Sequence, residues 1–144
     1  MTVKVSCMNR TAAAALVAIA CLVSCGAPTG ADQPTVAIGS WAGDHIRLDV
    51  AAAGAVIEYD CAHGTIDEPL LPDRAGRFSA AGSHTFEHGG PIRIDELPNR
   101  HPARYDGLVV ANTLEMTVTV IDTGQVIGTF TATFGAAARV LKCL

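Results

Sequence analysis

Between His45 and Phe134, apolar side chains recur at every second position in short runs. Ile46, Leu48 and Val50 alternate with His45, Arg47 and Asp49, and Ile57, Tyr59 and Cys61 alternate with Glu58 and Asp60. Leu114, Met116, Val118 and Val120 form one face of a later run, and Phe130, Ala132 and Phe134 form one face of the next. A period of two puts alternate side chains on opposite sides of an extended chain, whereas a helix needs a period of about 3.6. Between the runs stand turn sequences: Ala51 to Gly54, Ala62-His63-Gly64, Pro72 to Gly76, Asp122-Thr123-Gly124 and Gly135-Ala136-Ala137. Strands separated by turns every ~8–12 residues are the signature of an antiparallel sandwich or barrel. The expected strands are 45–50, 55–61, 65–71, 77–87, 104–110, 114–121, 125–134 and 138–144, about eight in all, with no convincing amphipathic helix. Pro69 marks the third as an edge or a bend. Gly82 marks a bulge or bend in the fourth. The outward positions Thr117, Thr119, Thr129, Thr131 and Thr133 suit a solvated strand face.

The beginning of the chain has a different character. Lys4 and Arg10 are the only charges before Asp32, and Thr11 to Val23 is almost wholly apolar. A positive stretch followed by an apolar one is the pattern of an export signal, and this one is short for a membrane span of ~20 residues. It ends Leu22-Val23-Ser24-Cys25, which resembles the lipobox of bacterial lipoproteins. The resemblance implies cleavage before Cys25, a lipid on its thiol, and attachment to a bacterial membrane. It favours the outer membrane, facing the periplasm, where two membranes are present. The other reading is an ordinary signal cut near Ala27 or Ala31. The expected organisation is a signal over 1–24, the lipidated Cys25 with a Pro/Gly-rich tether over 25–35, and an antiparallel β domain over 36–144.

This division explains the cysteines. Of five, Cys7 and Cys21 leave with the signal and Cys25 carries lipid, so Cys61 and Cys143 remain in an oxidising compartment. A disulfide between them would close 82 residues; two buried free thiols are the alternative. Without Lys4 and Arg10, eight basic residues face fourteen acidic ones, a balance of −6. No basic surface for nucleic acid can be built from that composition. Aromatic residues make up only 5% of the chain, too few for stacking platforms for bases or sugars.

Gly39-Ser40-Trp41 stands just before the first expected strand, and Arg139 lies in the last. The pair resembles the Gly-x-Trp start and late basic residue of lipocalins and related calycins. That resemblance implies a barrel around a small apolar or amphipathic ligand, with Arg139 packed on Trp41 by a cation–π contact. Otherwise Trp41 is simply the largest core residue.

His84-Thr85-Phe86-Glu87-His88 matches the inverted zincin pattern H-x-x-E-H. That motif needs a helix, whereas on a strand its histidines stand about 13 Å apart at ~3.3 Å per residue. His84 and His88 are therefore weak metal candidates, and no metal or other cofactor is expected. The acidic residues Glu58, Asp60, Asp67 and Glu68 read chiefly as a solvated face. No nucleophile elbow or phosphate loop is present. The longest irregular stretch, 88–103, holds three prolines and Arg93, Arg100 and His101. Long loops on small scaffolds are often functional. With Trp41, these three residues are the candidates for a ligand site or lid. The expectation is a non-enzymatic binding module. The alternatives are an envelope protein with a packed core whose partner is another protein and, last, a metal- or carboxylate-dependent hydrolase.

Overall fold

A computed structural model describes residues 35–91 and 93–143. The expectations for the signal, for Cys25 and for nearly all of the tether lie outside them. Eight strands follow one another: β1 (Gly39–Gly43), β2 (Ile46–Ala51), β3 (Gly54–Tyr59), β4 (Ala62–Ile66), β5 (Arg77–Phe86), β6 (Asn99–Val110), β7 (Thr113–Val120) and β8 (Val126–Phe134). Each pairs antiparallel with the next, and β8 returns to β1, so the sheet closes into an up-and-down barrel. The all-β reading holds, and of its two architectures the chain takes the barrel.

The tight turns are shaped by backbone strain. His45, Cys61 and Ala111 have φ of 66°, 52° and 52° in the β1–β2, β3–β4 and β6–β7 connections. Left-handed residues let a two-residue turn follow the twist of the strands it joins. In this topology 44–45, 60–61, 87–98 and 121–125 gather at one end of the barrel. The other end collects 52–53, 67–76, 111–112 and the incoming chain, where Val36 N–H donates to Leu70 O at 3.2 Å.

The alternating apolar face points inward. Trp41, Ile46, Leu48, Ile57, Tyr105, Leu114, Met116 and Val118 are all fully buried, and together with Tyr59 and Phe78 they fill the barrel. Gly64 has a specific task in this packing. A Cβ there would lie 2.4 Å from the Tyr105 hydroxyl and 2.7 Å from Ser83 O. The recess admits the Tyr105 hydroxyl, which donates to Ser83 O at 2.6 Å.

Three expected elements differ. The expected turn Ala62-His63-Gly64 is the start of β4, and the expected third strand, 65–71, ends at Ile66, because the chain already turns at 60–61, where Cys61 takes a positive φ. β1 was not foreseen as a strand, because its sequence Gly-Ser-Trp-Ala-Gly carries a single large apolar residue and no alternation. The segment 138–144 was expected as the last strand, but its described residues make only one isolated bridge, Asp44 to Arg139. β2 pairs along the whole of one side of β1 and β8 takes Trp41 and Ala42 on the other, so the segment reaches only the two ends of that strand. Instead the chain doubles back after Gly135 as a strap. Gly135 N–H donates to Ser40 O, Arg139 N–H to Gly43 O, and Cys61 N–H to Leu141 O, at 2.8, 3.1 and 3.2 Å. Cys61 and Cys143 form the expected disulfide. Arg139 does not pack on Trp41: its side chain is exposed and reaches Asp44 at 3.4 Å. Trp41 instead packs edge-on against Phe134, with ring centres 5.2 Å apart, and its indole N–H donates to Ala37 O at 2.9 Å.

Two expectations follow. Replacing both Cys61 and Cys143 by Ala should cost roughly 2–5 kcal/mol, because the bridge closes 82 residues of the unfolded chain; the denaturant midpoint measures it. Gly64→Ala should cost about 1–3 kcal/mol through overpacking. Adding Tyr105→Phe should restore part of that, since the hydroxyl clash goes and the Ser83 carbonyl clash stays.

Candidate functional site

The end of the barrel that carries the 87–98 segment also gathers the histidines. All five in the chain lie on the turns and strand ends there. Four face carboxylates: His45 Nδ1 meets Asp60 at 2.5 Å, His63 Nδ1 meets Glu87 at 2.7 Å and His101 Nδ1 meets Asp122 at 2.7 Å, while His88 Nε2 pairs with Glu96. Each pair ties one piece of this rim to another. His45–Asp60 joins two turns, His63–Glu87 joins β4 to the end of β5, His101–Asp122 joins β6 to the β7–β8 turn, and His88–Glu96 closes the 87–98 segment on itself. Lys142 of the strap bonds Ala62 O at 2.9 Å and Glu87 at 3.2 Å and also pairs with Glu58.

These contacts set the charges. Burial works against the Glu87 carboxylate, but hydrogen bonds from His63 and Lys142 outweigh it and hold its pKa below the usual range. Asp60 is lowered first by the Leu141 backbone N–H and then by His45. His88 is raised, first because its Nδ1–H donates to the Gly89 carbonyl and then because Glu96 accepts from Nε2. Glu96 is lowered in return, chiefly by the His88 bond.

Between the 87–98 segment and the end of β5 lies a cleft of about 340 Å³. Phe86, Leu97 and Pro98 supply apolar wall, and His63, Glu87 and Glu96 supply polar groups. Cys143 reaches the same cleft, so the disulfide forms part of its rim.

Just inside the barrel from Phe86 stands His84, fully buried. Its ring centre is 4.6 Å from Phe86 and 5.4 Å from Tyr59. Among the described residues, neither nitrogen of His84 has a hydrogen-bond partner, while the Tyr59 hydroxyl is left with that of Tyr105 alone. A buried polar group left unpaired costs about 1–3 kcal/mol. Burial lowers the pKa of His84, helped by the neighbouring His101 and His63. Burial, then the adjacent Tyr105, raises that of Tyr59 well above the usual phenol range.

The residues singled out by sequence are dispersed. Trp41 lies in the β1–β8 seam. Arg93 is exposed and faces Asp95 at 3.6 Å. Arg100 and His101 belong to β6, because the irregular stretch ends at Pro98 and not at 103. None of these four lines the cleft. His84 points into the barrel while His88 sits on the segment outside it, so the H-x-x-E-H residues do not converge. No group of three or more metal-ligating side chains occurs among the described residues. Leu97 and Pro98 are not singled out by the sequence, since only the path of the 87–98 segment brings them to Phe86. No protein-family model, curated protein or solved structure matches this chain.

The His88–Glu96 clip has a defined pH window. His88 is raised on folding, so its contribution is complete below the unfolded value of ~6.5 and is lost as pH rises through the folded one. Glu96 is lowered, so its contribution holds above the unfolded carboxylate value and is lost as pH falls through the folded one. An NMR titration should place the His88 midpoint above 6.5, and Glu96→Gln should move it down.

Proposed function

We propose that this chain is an exported, lipid-anchored binding module that holds a small amphipathic ligand at the rim cleft, with no catalytic role. The observation that carries the ligand reading is the cleft itself. Its ~340 Å³ falls in the range of small-molecule sites, roughly 300–1,000 Å³, which combine apolar walls with a few placed polar groups. Phe86, Leu97 and Pro98 would take the apolar body of the ligand, and Thr85, His63 and Glu87 its polar part. The filled barrel favours this rim position over the central ligand expected from the calycin resemblance. The closed eight-strand order supports a calycin-like scaffold, although the Trp41–Arg139 contact expected of one is missing.

The lipobox-like Leu22-Val23-Ser24-Cys25 supports the anchor, on the outer membrane facing the periplasm where two membranes exist. Among the described residues no helix is long and apolar enough to cross a membrane. One observation favours a second reading, an envelope protein whose partner is another protein. Ile94 and Leu97 on the 87–98 segment are almost fully exposed, as side chains that dock on a partner would be.

Two measurements test the proposal. Expressed in a bacterium, the protein should fractionate with membranes and carry a diacylglyceryl mass on Cys25, and Cys25→Ala should release it; an unmodified soluble wild type overturns the anchor. Native mass spectrometry of the exported protein should show a bound small molecule that Leu97→Asp removes. A ligand unaffected by Leu97→Asp, or none at all, overturns the cleft and moves the weight to the protein-partner reading.

A further inference from the structure

β8 is longer than the strand on which it closes. β1 pairs with it only at Trp41–Phe134 and Ala42–Thr133, yet β8 reaches back to Val126. Beyond Ala42 the first strand turns away, and Asp44 bridges Arg139 of the strap instead of β8. Among the described residues, the backbone of the strap reaches β8 only at Thr133, whose carbonyl accepts from Ala136 N–H at 3.3 Å. Successive residues of a strand aim their backbone groups to opposite sides. Phe134 N–H donates to Asn112 O at 2.9 Å, just ahead of β7, so Phe134, Ala132 and Phe130 face β7. Thr133, Thr131 and Thr129 therefore face the seam. Thr133 is met by Ala42. The Thr131 carbonyl lies against Gly43, where an added Cβ would come within 2.1 Å of it. The Thr131 N–H and both backbone groups of Thr129 are left without a hydrogen-bond partner among the described residues.

These groups open into a groove of about 670 Å³. Thr129 to Thr131 form one wall, and the 42–45 end of β1 with Ala136 and Ala137 of the strap forms the other. Both threonines are exposed. A free strand edge is normally guarded by charge or by proline, but no charged residue and no proline occurs from Gln125 to Ala138. The charges at the end of the groove, Asp44 and Arg139, face each other at 3.4 Å.

We propose that this stretch of β8 is a docking edge for an uncharged, extended polypeptide segment, which adds as a strand in the seam. Backbone N–H and C=O groups at strand spacing are matched by another backbone. A segment of about three to five residues spans them. Its side chains meet threonine and alanine walls, where a charge would leave water and find no free opposite charge. The groove shares no residue with the rim cleft, so the proposal does not depend on the small-molecule reading.

The test uses the intact, oxidised protein and NMR of its backbone amides. The probe is an uncharged, end-capped peptide that alternates threonine and valine, at millimolar concentration. The control is the same peptide methylated on alternate backbone nitrogens. Without peptide, the Thr129 and Thr131 amides should exchange with deuterium about tenfold faster or more than those of Phe130 and Ala132. The peptide should shift and protect Thr129 and Thr131, and the methylated control should not. Thr129→Pro removes an N–H on the open side while the β7 ladder stays intact, and it should abolish the effect. The methylated control decides the matter on the wild type if that variant does not fold. Thr129 and Thr131 amides as protected in the free protein as Phe130 overturn the open edge. Equal binding of both peptides, or a peptide that leaves the two threonines unmoved, overturns strand addition. Shifts at Thr129 that grow with protein concentration alone overturn the foreign segment in favour of a second copy of this chain.

Discussion

A barrel exists only if its first and last strands meet, and here they meet over very little. β1 and β8 pair at Trp41–Phe134 and Ala42–Thr133, whereas β5 and β6 pair from Arg77–Leu108 to Phe86–Asn99. A sheet with an open edge would expose unpaired backbone groups and the apolar face it encloses. The strap after β8 completes this seam. It bonds to Ser40, Gly43 and Cys61, receives Asp60 as an acceptor for Leu141 N–H, and is fixed by the disulfide. The cleft depends on the same device, because the strap brings Cys143 to its rim and Lys142 to Glu87. Closure and site are thus built from the same few residues.

The inside of the barrel is not uniformly oily. Three aromatic polar groups, Tyr59, His84 and Tyr105, share it with aliphatic side chains. Tyr105 is settled by Ser83 O and by the room Gly64 leaves for it, and burial raises its phenol to about 12. Tyr59 leans on Tyr105, while His84 has no partner among the described residues. They lie at the end of the barrel where the rim histidines gather, so the least satisfied part of the core adjoins the most polar part of the surface.

The fold was legible because alternation is a local signal. Ile46, Leu48 and Val50 name their own strand, as do Leu114, Met116 and Val118. β1 was illegible because small residues do not alternate visibly. The strap reads as a strand because Val140-Leu141-Lys142-Cys143 alternates as a strand does, but β8 takes the middle of the β1 edge and leaves it only Ser40 and Gly43. The disulfide could be read from a count, since few cysteines were left to pair. The site was much less legible. Its pairs, such as His63 with Glu87 and His88 with Glu96, depend on strand register and segment conformation, which the order of residues does not display. The H-x-x-E-H spacing drew attention to the right strand end for a reason unrelated to metal. It marks where β5 passes from the barrel interior to the rim.

The disulfide also divides the chain topologically. Residues 61–143 form a covalent ring that contains β4 to β8, the 87–98 segment and the cleft wall, while β1 to β3 lie before it. A protease that cuts once within the ring leaves both pieces joined through sulfur, and the piece bearing β1 still holds its partners. A cut ahead of Cys61 frees everything upstream, including any membrane attachment at Cys25, with only the sheet to retain it. The exposed rim segment can therefore be nicked with both pieces still covalently joined, whereas a cut at 44–45 or 52–53 leaves its two pieces held by strand pairing alone.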